Sequence, residues 1–151
     1  MIRFYNKNRE VVLELYNFSF INEREPEVRF SASISYAFYK ASRQIEDYKI
    51  YFEDFLKKLN LLNIYKVESA QFSPINNELE IFFCRMDLGQ ISVSINLNYL
   101  DFDEYTHNTY KSTLSINYEI DQSFLPELIG EISTILMSSD TIVHSENMTD
   151  A

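Results

Sequence analysis

The chain has 151 residues, 46% of them apolar, and carries 13 basic against 23 acidic side chains, a net charge of −10. That length suits one domain around one core, and only two glycines and three prolines leave little room for a disordered linker. An acidic surface repels nucleic acid and anionic lipid, so neither is expected as a partner.

The predicted elements run as follows. Short strands are expected near Arg3–Tyr5 and Val11–Phe20. From Val28 to Phe38, apolar Val28, Phe30, Ala32, Ile34, Tyr36 and Phe38 alternate with Arg29 and serines, the period of a strand with one dry face. From Ser42 to Asn63, Ile45, Tyr48, Phe52, Phe55, Leu56, Leu59 and Leu62 fall on one helical stripe. Ser42 suits the N-cap, Glu46 and Asp47 the first turn, and Lys57 and Lys58 the end near the negative pole. Less regular strands follow near Tyr65–Phe72 and Glu78–Met86, joined by a turn at Pro74–Asn77. A turn at Asp87–Gln90, with Gly89 free to take positive φ, leads to the alternating strand Ile91–Tyr99. Residues 101–112 read as a polar connection, Leu114–Ile120 as a strand, and Phe124–Ser138 as a second helix with Pro126 in its first turn. Residues 139–151 read as a loose tail. The expected fold is α+β: residues 1–138 form a single domain, a mostly antiparallel sheet of about six to seven strands with two amphipathic helices on one face.

No apolar run is long enough for a signal peptide or a bilayer span, and Cys84 is the sole cysteine, so a cytoplasmic setting is expected. Little in the chain points to chemistry. The two glycines, Gly89 and Gly130, make no phosphate loop, and Cys84, His107 and His144 are too few for zinc. Cys84 beside Phe82 and Phe83 reads as a small core residue rather than a nucleophile paired with His107. Asp101-Phe102-Asp103-Glu104 fails the calcium-loop spacing, since Thr106 and Ser112 stand where Gly and Glu are required. No catalytic residue, metal or cofactor is therefore expected.

Charge is the informative feature. Residues 1–66 hold 11 basic and 9 acidic side chains, a net of +2; residues 67–151 hold 2 and 14, a net of −12. Such a concentration steers basic partners inward. The candidate docking residues are Glu78, Glu80, Asp87, Asp101, Asp103, Glu104, Glu119 and Asp121, with Tyr99 and Tyr105 beside them because Tyr is enriched in interface cores. Three readings stay open: a protein-binding inhibitor, a small-molecule-binding or enzymatic domain using the aromatics around the first helix, and an acidic nucleic-acid mimic acting on another protein.

One resemblance narrows these. The strand Arg29–Tyr36, the helix end Phe55-Leu56-Lys57-Lys58-Leu59, the strand–turn–strand Leu79–Ile95 and above all Ile120-Asp121-Gln122-Ser123-Phe124-Leu125 make the chain resemble, over about residues 28 to 138, the WapI-type immunity proteins of bacterial polymorphic-toxin and contact-dependent growth inhibition systems. The resemblance implies a cytoplasmic antidote that binds a cognate toxin, often a nuclease with a basic substrate surface. It brings no catalytic residues, and Asp121-Gln122-Ser123 is most simply a helix cap.

Overall fold

A computed structural model describes residues 1–21 and 24–149, with side chains described up to residue 139. The chain lays down four strands and a helix, then four strands and a helix again. The first set is β1 (Ile2–Tyr5), β2 (Val11–Ile21), β3 (Glu27–Tyr36), β4 (Tyr39–Tyr48) and α1 (Lys49–Asn63). The second is β5 (Ser69–Phe72), β6 (Leu79–Arg85), β7 (Gln90–Asp103), β8 (Asn108–Asp121) and α2 (Leu125–Thr149). Each set of strands forms its own antiparallel meander, β1-β2-β3-β4 and β5-β6-β7-β8. The α+β class holds, but the expected single sheet of six to seven strands is in fact two sheets of four.

The expected helix start at Ser42 is also corrected. Residues 39–48 pair with β3 over ten positions, from Glu27↔Tyr48 to Tyr36↔Tyr39. Glu46 and Asp47 therefore lie in a strand and not in a first helical turn. The hairpin loop has two residues, Ala37 and Phe38, with Ala37 at φ 54°. It lacks the Asn-Gly or Asp-Gly that advertises such loops, so the strand passed for a helix approach. Phe38, expected on a strand's dry face, sits in this loop fully exposed. Tyr48 supplies no side-chain cap to α1; the first helical N–H, that of Lys49, reaches the Pro26 carbonyl at 2.9 Å. The last turn of α1 holds no basic residue, and Lys58 instead pairs with Asp54 at 2.8 Å. At the other end of the chain α2 continues through residues 139–149, the stretch read as a tail, while residues 150 and 151 lie outside the described residues.

Helix α1 joins the two sheets. Its apolar positions Phe52, Phe55, Leu59 and Leu62 are buried, spaced three and four apart on one face. Phe52 packs edge-on against Phe30 of β3 at 5.2 Å and tilted against Phe72 of β5 at 4.7 Å. Phe55 meets Phe83 of β6 at 6.0 Å, and Phe4 of β1 meets the same ring at 6.3 Å. One continuous core thus runs from the first sheet to the second. The aromatic richness of the sequence is used here.

A bulge keeps β2 in register with that core. Tyr16 pairs with Ser31 and Ser19 with Arg29, so Asn17 and Phe18 together face Phe30. Asn17 takes φ 55°, and the inward parity passes from Leu13 and Leu15 to Phe18 and Phe20. Without the extra residue, both phenylalanines would point to solvent.

Candidate partner-docking surface

Sheet β5–β8 positions every candidate docking residue. Along β7, odd-numbered Ile91, Val93, Ile95 and Leu97 are buried, while Ser92, Ser94 and Asn96 on the other face are partly wet. Partners on β8 repeat this: Ile116 and Ile120 point in, Ser115, Asn117 and Glu119 out. The wet serine and asparagine face expected from the sequence is present. Cys84 belongs to it too, exposed on β6 next to buried Phe83. This corrects the expected core cysteine: adjacent strand residues face opposite sides, and Phe83 takes the inner one.

The ten candidates do not form one patch. Asp87, Glu119 and Asp121 lie toward the end of the sheet where Gln90 pairs with Asp121. Asp101, Asp103 and Glu104 lie at the far end of β7, roughly 40 Å away at strand spacing. Between them, Glu78 and Glu80 are engaged within the fold. Arg43 of β4 donates to Glu78 Oε1 at 3.0 Å and to the Asn98 carbonyl. Buried Asn98 donates Nδ2 to Glu80 at 2.8 Å and to the Asn77 carbonyl at 2.6 Å, and its Oδ1 accepts from Thr113 at 2.8 Å. Asp121 accepts from the Ser123 N–H at 2.9 Å, which holds its carboxyl below the usual range and caps the 3-10 turn that opens α2. Gln122 accepts from Arg85 at 2.7 Å and donates to Asn63 at the end of α1. The run that carries the family resemblance is thus a brace between α1, β6 and α2. Arg85, one of two cations in the acidic half, is its centre, with its guanidinium 4.0 Å from the Tyr65 ring.

The polar connection expected over residues 101–112 is instead two paired strands. β7 and β8 stay in register out to Asp103↔Asn108. Their neighbour β6 begins at Leu79, opposite Leu97, so beyond that point the ribbon is two strands wide. From Tyr99 to Thr113 no side chain is buried. The ribbon has two unlike faces. One carries Tyr99, Asp101 and Asp103 across from Ser112, Tyr110 and Asn108; the other carries Leu100 and Phe102 across from Lys111 and Thr109. Leu100 and Phe102 are each 56% exposed, and Tyr105 at the tip is 98% exposed. The tip is ordered by Asp103, whose Oδ1 accepts from Tyr105 N–H at 2.9 Å and whose carbonyl accepts from His107 N–H at 2.9 Å. Three acids against one lysine give residues 99–112 a net charge of −2.

Leu100 and Phe102 were missed from the sequence. Their signal was there: even positions of β7 run Ser92, Ser94, Asn96, Asn98 and then turn apolar beyond the point where the core ends.

Two clefts flank the start of α1. The larger, 520 Å³, is lined by Arg24, Tyr48, Lys49, Tyr51 and Ile75 among others; the smaller, 280 Å³, includes Glu27, Asp47 and Asn76. Asp47 is the one carboxyl here with a strong perturbation: burial, offset in part by the Tyr48 N–H and reinforced by Glu78, pushes it up to about 6. Its Oδ1 is taken by Tyr48 N–H at 2.7 Å, its Oδ2 is shut away from solvent, and the Ile75 backbone N–H also favours the ionised form. Among the described residues no cluster of His, Cys, Asp or Glu is arranged to hold a metal ion. No described helix is long and apolar enough to cross a membrane.

The model of the immunity protein WapI-like family matches this chain over residues 6–138. No curated protein and no solved structure matches it.

Proposed function

Because the chain belongs to the WapI-like immunity protein family, we propose that it is a bacterial antidote that binds and blocks a cognate toxin domain in the cytoplasm, that the toxin is a basic nuclease, and that the acidic second half of the chain makes the contact. The family match over residues 6–138 carries the reading. The charge of residues 67–151, 2 basic against 14 acidic side chains, supports a basic partner, because complementary charge speeds association and can occupy a phosphate-binding surface. Inhibition of this kind needs no turnover and no cofactor.

Co-expression tests it. Cells producing the toxin domain encoded immediately upstream should survive when this chain is present, and the two should co-purify. Equal killing with and without the chain rejects the reading.

A further inference from the structure

A two-stranded ribbon is marginally stable by itself in water. The β7–β8 ribbon extends about six residues past Leu97, roughly 20 Å, without a third strand and, beyond Asn98 at its root, without a buried side chain. Nothing in the core requires it, because the last inward-facing pair is Leu97↔Leu114. Yet it is built with care. Asn98 is pinned at the root by Glu80, Asn77 and Thr113, Arg43 clamps its carbonyl, and Asp103 ties the tip. A rigid projection with large exposed side chains loses little freedom on binding, and aromatic anchors of this sort carry most of an interface's energy.

We propose that this arm is the anchor of the toxin interface, inserted into a cleft of the partner that has one apolar wall and one basic wall. Leu100 and Phe102 face the apolar wall. Asp101 and Tyr99, on the opposite face, meet the lysines and arginines of the other, with Glu104 and Tyr105 at the tip. The charge of the arm selects that occupant: net −2 beside exposed rings fits a basic cleft and disfavours a second copy of this acidic chain. Asp103 works at one remove, by holding the turn. The inference rests on the immunity reading and adds the place and manner of docking.

The experiment uses the full chain and the purified toxin domain encoded upstream, with binding kinetics measured for the parent, two arm variants and, as controls, variants at the far end of the sheet. Leu100→Ser with Phe102→Ser should weaken binding about thirtyfold, mainly through faster dissociation. Asp101→Lys with Glu104→Lys should slow association about fivefold and flatten its salt dependence. Both variants should melt within about 2 °C of the parent, since none of these residues is buried. If the parent binds and both variants bind within twofold of it, the arm is not the anchor, although the immunity reading stands. Equal losses from Asp87→Lys and Glu119→Lys, with the arm variants unaffected, place the contact at the far end of the sheet and overturn the inference. So does a concentration-dependent dimer, seen by sedimentation, that Phe102→Ser abolishes. A parent chain that does not bind the toxin domain at all sinks both the arm and the immunity reading.

Discussion

The two halves of this molecule repeat one order of elements, four antiparallel strands and a helix, with opposite electrostatic character. Residues 1–66 are nearly balanced at +2, and residues 67–151 carry −12. Both halves feed the same core through the same kinds of side chain, Phe30 and Phe52 on one side, Phe72 and Phe83 on the other. The acidity of the second half is therefore not needed to form a sheet of this type. The hairpins differ as well. β3 and β4 pair along ten residues and pass into α1, whereas β7 and β8 pair along fourteen and overshoot the core. The excess length and the excess charge coincide at Asp101–Glu104, and that coincidence separates what the fold uses from what it presents.

The comparison assumes that the halves share one cooperative unit, and Phe52 tests it most severely. The ring is 3% exposed and touches Phe30 of the first sheet and Phe72 of the second. Phe52→Ala should cost about 3–5 kcal/mol, with both sheets lost in one denaturant transition. Two separated transitions would show that the sheets are independent.

Asp47 gives a smaller effect with a definite sign. Its pKa is about 6 in the folded chain against 3.8 without the fold's influence. The folded state therefore holds the proton more tightly than the unfolded state. Stability falls as pH rises through the interval from about 4 to about 6, and the penalty is fully present above it. Asp47→Asn keeps an acceptor for the Tyr48 N–H and removes the buried charge next to Glu78. At pH 7.5 the variant should be more stable by roughly 1–3 kcal/mol, and the gain should vanish near pH 4. A gain that is the same at both pH values would contradict burial of the ionised carboxyl as the cause.

How much of this was legible in the sequence depends on whether a pattern serves one purpose or two. Strands β3, β7 and β8 were readable because inward apolar residues alternate with Ser and Asn. β4 was not, because its inward positions include Arg43 and Asp47, which bind polar groups and not the core. Inward charges suit an edge strand, where they discourage further pairing, but they erase the alternation and leave Ile45 and Tyr48 to mimic the helix that follows. The acidic docking candidates were partly legible. Composition marks the acidic half of the chain, but no local pattern distinguishes Glu78 and Glu80, held by Arg43 and Asn98, from Asp101 and Glu104 in solvent. That distinction is made by the packing of the two sheets, which brings Arg43 of β4 to the root of the arm.

The sharpest test of body against arm lies within one strand. Leu97 and Leu100 are three residues apart on β7, chemically identical, and on opposite faces. Leu97 is 7% exposed in the last three-stranded rung, and Leu100 is 56% exposed three residues beyond it. Leu97→Ala should cost about 2–4 kcal/mol through the cavity it leaves in the core. Leu100→Ala should shift stability by less than about 0.5 kcal/mol, as surface positions do. Similar losses at both positions in chemical denaturation would mean that the arm is packed as part of the body. A flat response at Leu100 beside a large one at Leu97 would leave its exposed leucine without a role in folding, which is the condition a docking residue has to meet.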